Sequence, residues 1–130
     1  YRYWLHFAEG TAMSPLLLKL VFDRIETAKM PFFAKPIAKA IAAKTKSAFI
    51  NPNIASHLNY MEAELGKSEW FAGDAFTGSD IQMSFVVEAA QARGGLDAKR
   101  PKLMAYLERI HSRPAYKRAL ERGGPYELLN

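Results

Sequence analysis

Cysteine is absent from this chain of 130 residues. That excludes disulfides, thiolate metal sites and a cysteine nucleophile, and only weakly favours a reducing compartment. Long apolar runs are missing too. Pro15 to Leu18 is closed by Lys19, far short of the roughly 20 residues a membrane span needs. No secretory signal is legible, since Arg2 is followed by Trp4, His6 and Glu9 and not by an apolar core. Nothing reads as a strand: no segment alternates apolar and polar residues, and Val and Ile are sparse. His6, His57 and His111 are scattered, and neither an HExxH motif nor a carboxylate cluster occurs, so no metal is expected. Glu62 and Glu64 fall on different helix faces and read as solvated, not as an acid/base pair. There is no serine–histidine arrangement, no phosphate-cradling glycine loop and no repeat of solenoid period.

What is present is an ordinary globular mixture, 49% hydrophobic and 24% charged, dominated by good helix formers. At this size one domain burying about two thirds of its unfolded surface is expected. Tyr1-Arg2-Tyr3-Trp4-Leu5-His6-Phe7 opens at full amphipathic strength with no capping residue before it. The reading is of a fragment, residues 1–130 forming a single helical domain without the domain that precedes it.

The first helix covers residues 1–9 and falters at Gly10. Ser14 as N-cap and Pro15 at the first helical position open a second segment, to about Ala28, unless Gly10 and Pro15 only kink one long helix. The two prolines of residues 30–36 make a connector. A helix over 36–49 follows. Asn51-Pro52 repeats the cap-plus-proline signature, and Ile54, Leu58, Met61 and Leu65 form one apolar stripe ended by Gly66. Residues 66–76 read as a loop pinned by Trp70, Phe71 and Phe76. Then Phe76-Thr77-Gly78-Ser79-Asp80-Ile81 has the form of a capping box, with Thr77 and Asp80 as the cap pair and Phe76 and Ile81 as a hydrophobic staple. The helix it opens is apolar nearly all round, which belongs in the middle of a bundle. Two further helices carry Leu103, Leu107 and Ile110, then Tyr116, Ala119 and Leu120. The fold class is all-α, a bundle of five or six helices around one buried helix.

Eighteen Lys and Arg against thirteen Asp and Glu leave a formal charge of +5. Lys29, Lys35, Lys39, Lys44 and Lys46 occur between Thr27 and Met61 without one acid. They are spaced by alanine without interleaved aromatics, so a solvated helix face is preferred, with no nucleic-acid and no membrane partner.

Three stretches together resemble the C-terminal all-helical domain of glutathione S-transferases, of a bacterial or fungal type. They are Trp4 to Gly10 followed by Pro15-Leu16, Trp70 to Ile81, and Ser112-Arg113-Pro114-Ala115-Tyr116-Lys117-Arg118-Ala119-Leu120. They stand in family order and span essentially the whole chain. Ser79 stands where many members have Ala, which leaves the cap chemistry intact. The resemblance implies an N-terminal thioredoxin-like domain that binds glutathione as co-substrate and holds the thiol-activating residue, so no catalytic residue is expected in this chain. It also implies a cytoplasmic, detoxifying homodimer that adds the glutathione thiolate to a small electrophilic substrate or reduces peroxides. The helical domain would wall the electrophile pocket and form much of the dimer interface. On the first helix Tyr3, Phe7 and Gly10, with His6 and Met13 beside them, are the candidate substrate-binding residues. Alone, the chain is expected to be inactive. A second reading is a non-catalytic interaction module, since the same domain is appended to translation factors and tRNA synthetases.

Overall fold

The computed structural model describes residues 1–124. Seven α-helical segments form five rods, and among the described residues there is no strand. In the first rod α1 (Arg2–Phe7) runs through a π-helical turn (Ala8–Ala12) into α2 (Met13–Thr27). In the second α3 (Lys35–Thr45) runs through a π-helical turn (Lys46–Ile50) into α4 (Asn51–Leu65). The others are α5 (Gly78–Arg93), α6 (Pro101–Ser112) and α7 (Pro114–Gly123).

Ser14 and Asn51 therefore open no helices. Both proline signatures lie inside continuous rods. A proline ring clashes with the carbonyl four residues back. For Pro15 that residue is Thr11 and for Pro52 it is Ala48, and both lie in the π-helical turns. A wider turn relieves the clash without ending the helix.

Periodicity sets the core. Ile54, Leu58, Met61 and Leu65 are all buried, as are Leu103, Leu107 and Ile110. They meet Trp4, Phe7 and Leu16 of the first rod and Met83, Val86, Val87 and Ala90 of α5 in one cluster. Trp70 and Phe71 are buried and pin the loop, while Phe76 is half-buried against the same cluster. At the end of α5 only glycine fits, because a Cβ on Gly94 would stand 2.8 Å from Leu16 Cδ2.

The first turn of α5 is fixed by a fully buried carboxylate. Asp80 Oδ2 accepts from the Thr77 amide at 3.1 Å, and the Thr77 side chain completes the capping box on the Asp80 amide. Asp80 Oδ1 accepts from the Phe71 amide at 3.2 Å and from the Tyr106 hydroxyl at 3.2 Å. Tyr106 also donates to the Asp80 carbonyl at 3.1 Å. Burial first, then the neighbouring Asp80 charge, pushes the Tyr106 hydroxyl pKa far up, so it stays a donor.

Two local readings are corrected by partners distant in sequence. Glu62 is no solvated residue: its two oxygens accept from the Lys102 and Leu103 amides, both at 2.8 Å, and cap the start of α6. Lys46 is not on a solvated lysine face but turns towards α2, 2.8 Å from Asp23 and 3.0 Å from Glu26.

Candidate functional site

The five residues singled out on the first rod do not converge. Phe7 is only 7% exposed and packs among Trp4, Tyr60 and His57. Tyr3 is exposed at the edge of the same aromatic cluster, stacked on Phe7 at 5.9 Å. It bonds the Tyr60 hydroxyl, whose pKa is pushed up to about 12 by that bond first and by burial second. His6 and Gly10 are exposed, and a Cβ on Gly10 would meet nothing within 4 Å. Met13 alone of the five lines a cavity, a groove of about 460 Å³ between the first rod and α5. Phe85, Val86 and Ile81 supply its apolar walls, and Gln82 Nε2 donates to Glu9 Oε1 at 2.7 Å beside it.

Ile81 also lines a second groove, of about 260 Å³, with Phe76, Ile110, Arg113 and Tyr116. The Arg113 guanidinium sits 3.7 Å from the centre of the Phe76 ring, a cation–π contact at the groove wall. Between the two grooves stands a ridge. Ile81 is 65% exposed and Phe85 46% exposed, one helical turn apart on α5. A helix that is apolar nearly all round was expected to be covered all round; this side of α5 is open. Phe76 and Ile81 do meet at the second groove, where a staple would put them, but Ile81 presents most of its surface outward.

Behind the ridge lies a polar cluster with no counterpart in the periodicity. Glu88, 7% exposed, accepts from the Tyr116 hydroxyl at 2.8 Å and lies 2.7 Å from His111 Nε2. Burial and the Glu88 charge push the Tyr116 pKa up to about 12. The cluster ties α5, α6 and α7 together by satisfying a buried carboxylate. Its one local signal is that Glu88 is the only acid of α5 after Asp80. Among the described residues no three side chains of the His, Asp and Glu kind come together as a metal site would need.

An open ridge between two apolar grooves is the surface of a domain made to be covered, and comparison with known proteins agrees. A family model described as "Glutathione S-transferase, C-terminal domain" matches residues 24–122. Glutathione S-transferase 3 of Schizosaccharomyces pombe is 31% identical over 94% of this chain and 50% of its own length. Glutathione S-transferase 1 of Saccharomyces cerevisiae is 25% identical over 92% of this chain and 52% of its own length. No solved structure matches significantly. The chain thus spans about half the length of the curated relatives it matches. Those relatives, the matched region and the all-helical bundle around α5 agree: this chain belongs to the glutathione S-transferase C-terminal domain family.

Proposed function

We propose that this chain is the helical half of a glutathione transferase, in which a preceding thioredoxin-like domain covers the ridge of α5. The observation that carries this reading is the exposed pair Ile81 and Phe85 between two apolar grooves. About 25 cal/mol per Å² of apolar surface is gained on covering such a ridge. Tyr1 supports the same arrangement, since its hydroxyl lies only 2.6 Å from where a Gly78 Cβ would stand, so residues before it would enter beside the start of α5.

In this reading the groove lined by Met13, Phe85 and Val86 is one wall of the electrophile site. Thiolate activation and glutathione binding belong to the other domain, and catalysis comes from holding thiolate and electrophile together. Tyr3, His6, Phe7 and Gly10 are assigned lesser parts at the rim of that site or, for Phe7, beneath it. Homodimerisation is assigned to α2, where Leu17 and Val21 are 56% and 45% exposed. Conjugation or peroxide reduction, detoxification and a cytoplasmic location complete the proposal and are supported by the family alone.

The test is retention of the full-length gene product on immobilised glutathione, followed by conjugation of a generic aryl halide. The full-length product is expected to bind and conjugate, and the 130-residue chain to do neither. Met13→Ala is expected to raise KM for the aryl halide about threefold to tenfold through lost apolar contact. KM for glutathione should stay unchanged. An unchanged KM for the halide would remove Met13 from the site, and conjugation by the isolated chain would overturn the division of labour.

A further inference from the structure

The most exposed large apolar side chains of the described residues are neither on α5 nor on the first rod. Phe32 is 88% exposed and Phe33 69% exposed. They occupy the connector between α2 and α3, a tight turn closed by the Ala34 amide donating to the Pro31 carbonyl at 2.9 Å. Their rings touch only each other, edge to face at 6.1 Å. Two neighbouring phenylalanines held in solvent by a turn cost apolar exposure that the fold has no internal reason to accept.

Charge around the tip has one sign. Lys29 precedes the two rings and Lys35 follows them, with Lys39 one turn farther along α3. All three are exposed, and among the described residues none has an ion-pair partner. The acids that might have neutralised the tip are engaged elsewhere: Asp23 holds Lys19 and Lys46, and Glu26 also holds Lys46. From Thr27 to Met61 no further acid occurs. On α3, Ile37 and Ile41 are 62% and 58% exposed at successive turns, which extends the apolar surface away from the tip.

Exposed aromatic rings flanked by unpaired lysines are the chemistry of an interfacial anchor. Rings enter the boundary between headgroups and acyl chains, while ammonium groups stay at the level of the lipid phosphates and carboxylates. An acidic nucleic acid would use the lysines but offers no apolar layer for two unstacked rings on a turn. A second copy of this chain would bring lysines against lysines at the same tip. We propose that the α2–α3 tip docks the protein peripherally on an anionic lipid surface, through Phe32 and Phe33 with Lys29, Lys35 and Lys39. This revises the sequence-based expectation of no membrane partner. The contact is peripheral, since no described helix is long and apolar enough to cross a membrane. It stands independently of the enzymatic reading.

The experiment is co-sedimentation of the full-length protein with vesicles of phosphatidylserine and phosphatidylcholine in equal amounts, or of phosphatidylcholine alone. Binding is expected to the anionic vesicles only, and to weaken as salt rises. Phe32→Ser with Phe33→Ser is expected to lower vesicle affinity about tenfold or more. Lys29→Gln with Lys35→Gln is expected to lower it similarly, and the charge-matched control Lys99→Gln with Lys102→Gln to leave it near wild type. Unchanged circular dichroism and thermal midpoints keep these comparisons free of misfolding. Because both pairs are exposed and unbonded, the fold is expected to tolerate them. Three results would overturn the proposal. One is no binding to either vesicle. Another is equal loss in the lysine control. The third is a serine variant that keeps its vesicle affinity but shifts the monomer–dimer equilibrium or single-stranded DNA binding.

Discussion

Replacing Asp80 by Ala removes one side chain and three hydrogen bonds. The Thr77 amide loses its acceptor at 3.1 Å, the Phe71 amide loses its acceptor at 3.2 Å, and the Tyr106 hydroxyl loses one of two acceptors. Tyr106 keeps the Asp80 main-chain carbonyl at 3.1 Å, so it adds little to the cost. Loss of the cap costs about 1 kcal/mol. The Phe71 amide is left unpaired in the interior, which costs a further 1–3 kcal/mol, approximately. The expected loss is therefore about 3 kcal/mol, larger than a surface cap alone would give. For a domain of this size that corresponds to roughly 10 °C in Tm. Differential scanning calorimetry and urea unfolding measure it. Asp80→Asn sharpens the test. One amide oxygen can serve one of the two backbone donors, while the amide nitrogen must face the other. More than half of the Asp80→Ala loss is therefore expected to remain. Tyr106→Phe should cost about 1 kcal/mol, and combined with Asp80→Ala it should cost less than the sum, because the two changes share one bond. An Asp80→Ala Tm within about 3 °C of wild type would refute the reasoning, since no desolvated donor could then be waiting on that carboxylate.

Two further predictions concern charge. Partial burial pushes the Asp23 carboxyl up, but the bond to Lys46 and the charge of Lys19 together hold it below its ordinary value of 3.8. Its stabilising contribution is therefore present above that value and lost as pH falls through the lowered one, and Lys46→Ala is expected to flatten this acid limb in urea titrations. At neutral pH and low salt the same substitution should cost about 1 kcal/mol or less, shrinking as salt rises, because the group is partly solvated. His57 differs in sign of cause, because burial alone lowers its pKa from 6.5 and its Nδ1 has no partner. Folding favours the neutral ring, so its contribution is complete above pH 6.5 and falls as pH drops below it. The thermal midpoint of wild type should decline over that window more steeply than that of His57→Gln.

The parts of this fold that sequence made legible are those set by neighbours on one helix. Ile54, Leu58, Met61 and Leu65 recur at helical spacing, and the turn before α5 carries its capping residues within four positions. What was not legible depends on partners far along the chain. Glu62 reaches α6 across 40 residues, Lys46 reaches α2 across 23, and Glu88 reaches Tyr116 across 28. No periodicity encodes such pairings, so each acid or base looked solvated. Proline misled for a different reason. Pro15 and Pro52 carry the signature of a helix start, yet a π-helical turn before each accommodates the ring within a continuous rod. The candidate site was legible only at Met13, because helical spacing put Phe7 on a face with Tyr3 without showing that this side of the helix meets Tyr60 and His57.

Asp80 and Ile81 make the same point within one peptide bond. Successive helical residues point about 100° apart, and here that rotation separates a carboxylate with no exposed surface from a side chain 65% exposed. The inward residue holds the loop, the turn and α6 together; the outward one touches little of its own chain. Apolar composition alone cannot distinguish the two sides of α5, because burial in its own bundle and burial beneath another domain call for the same residue types. Polar bonding does distinguish them. On the inner side Asp80 and Glu88 have their hydrogen bonds satisfied within the chain, whereas Ile81 and Phe85 offer apolar area and no polar bond. A surface of that kind can be covered by a partner without any donor or acceptor having to be matched, so the ridge can be docked without disturbing the network that keeps α5 in place.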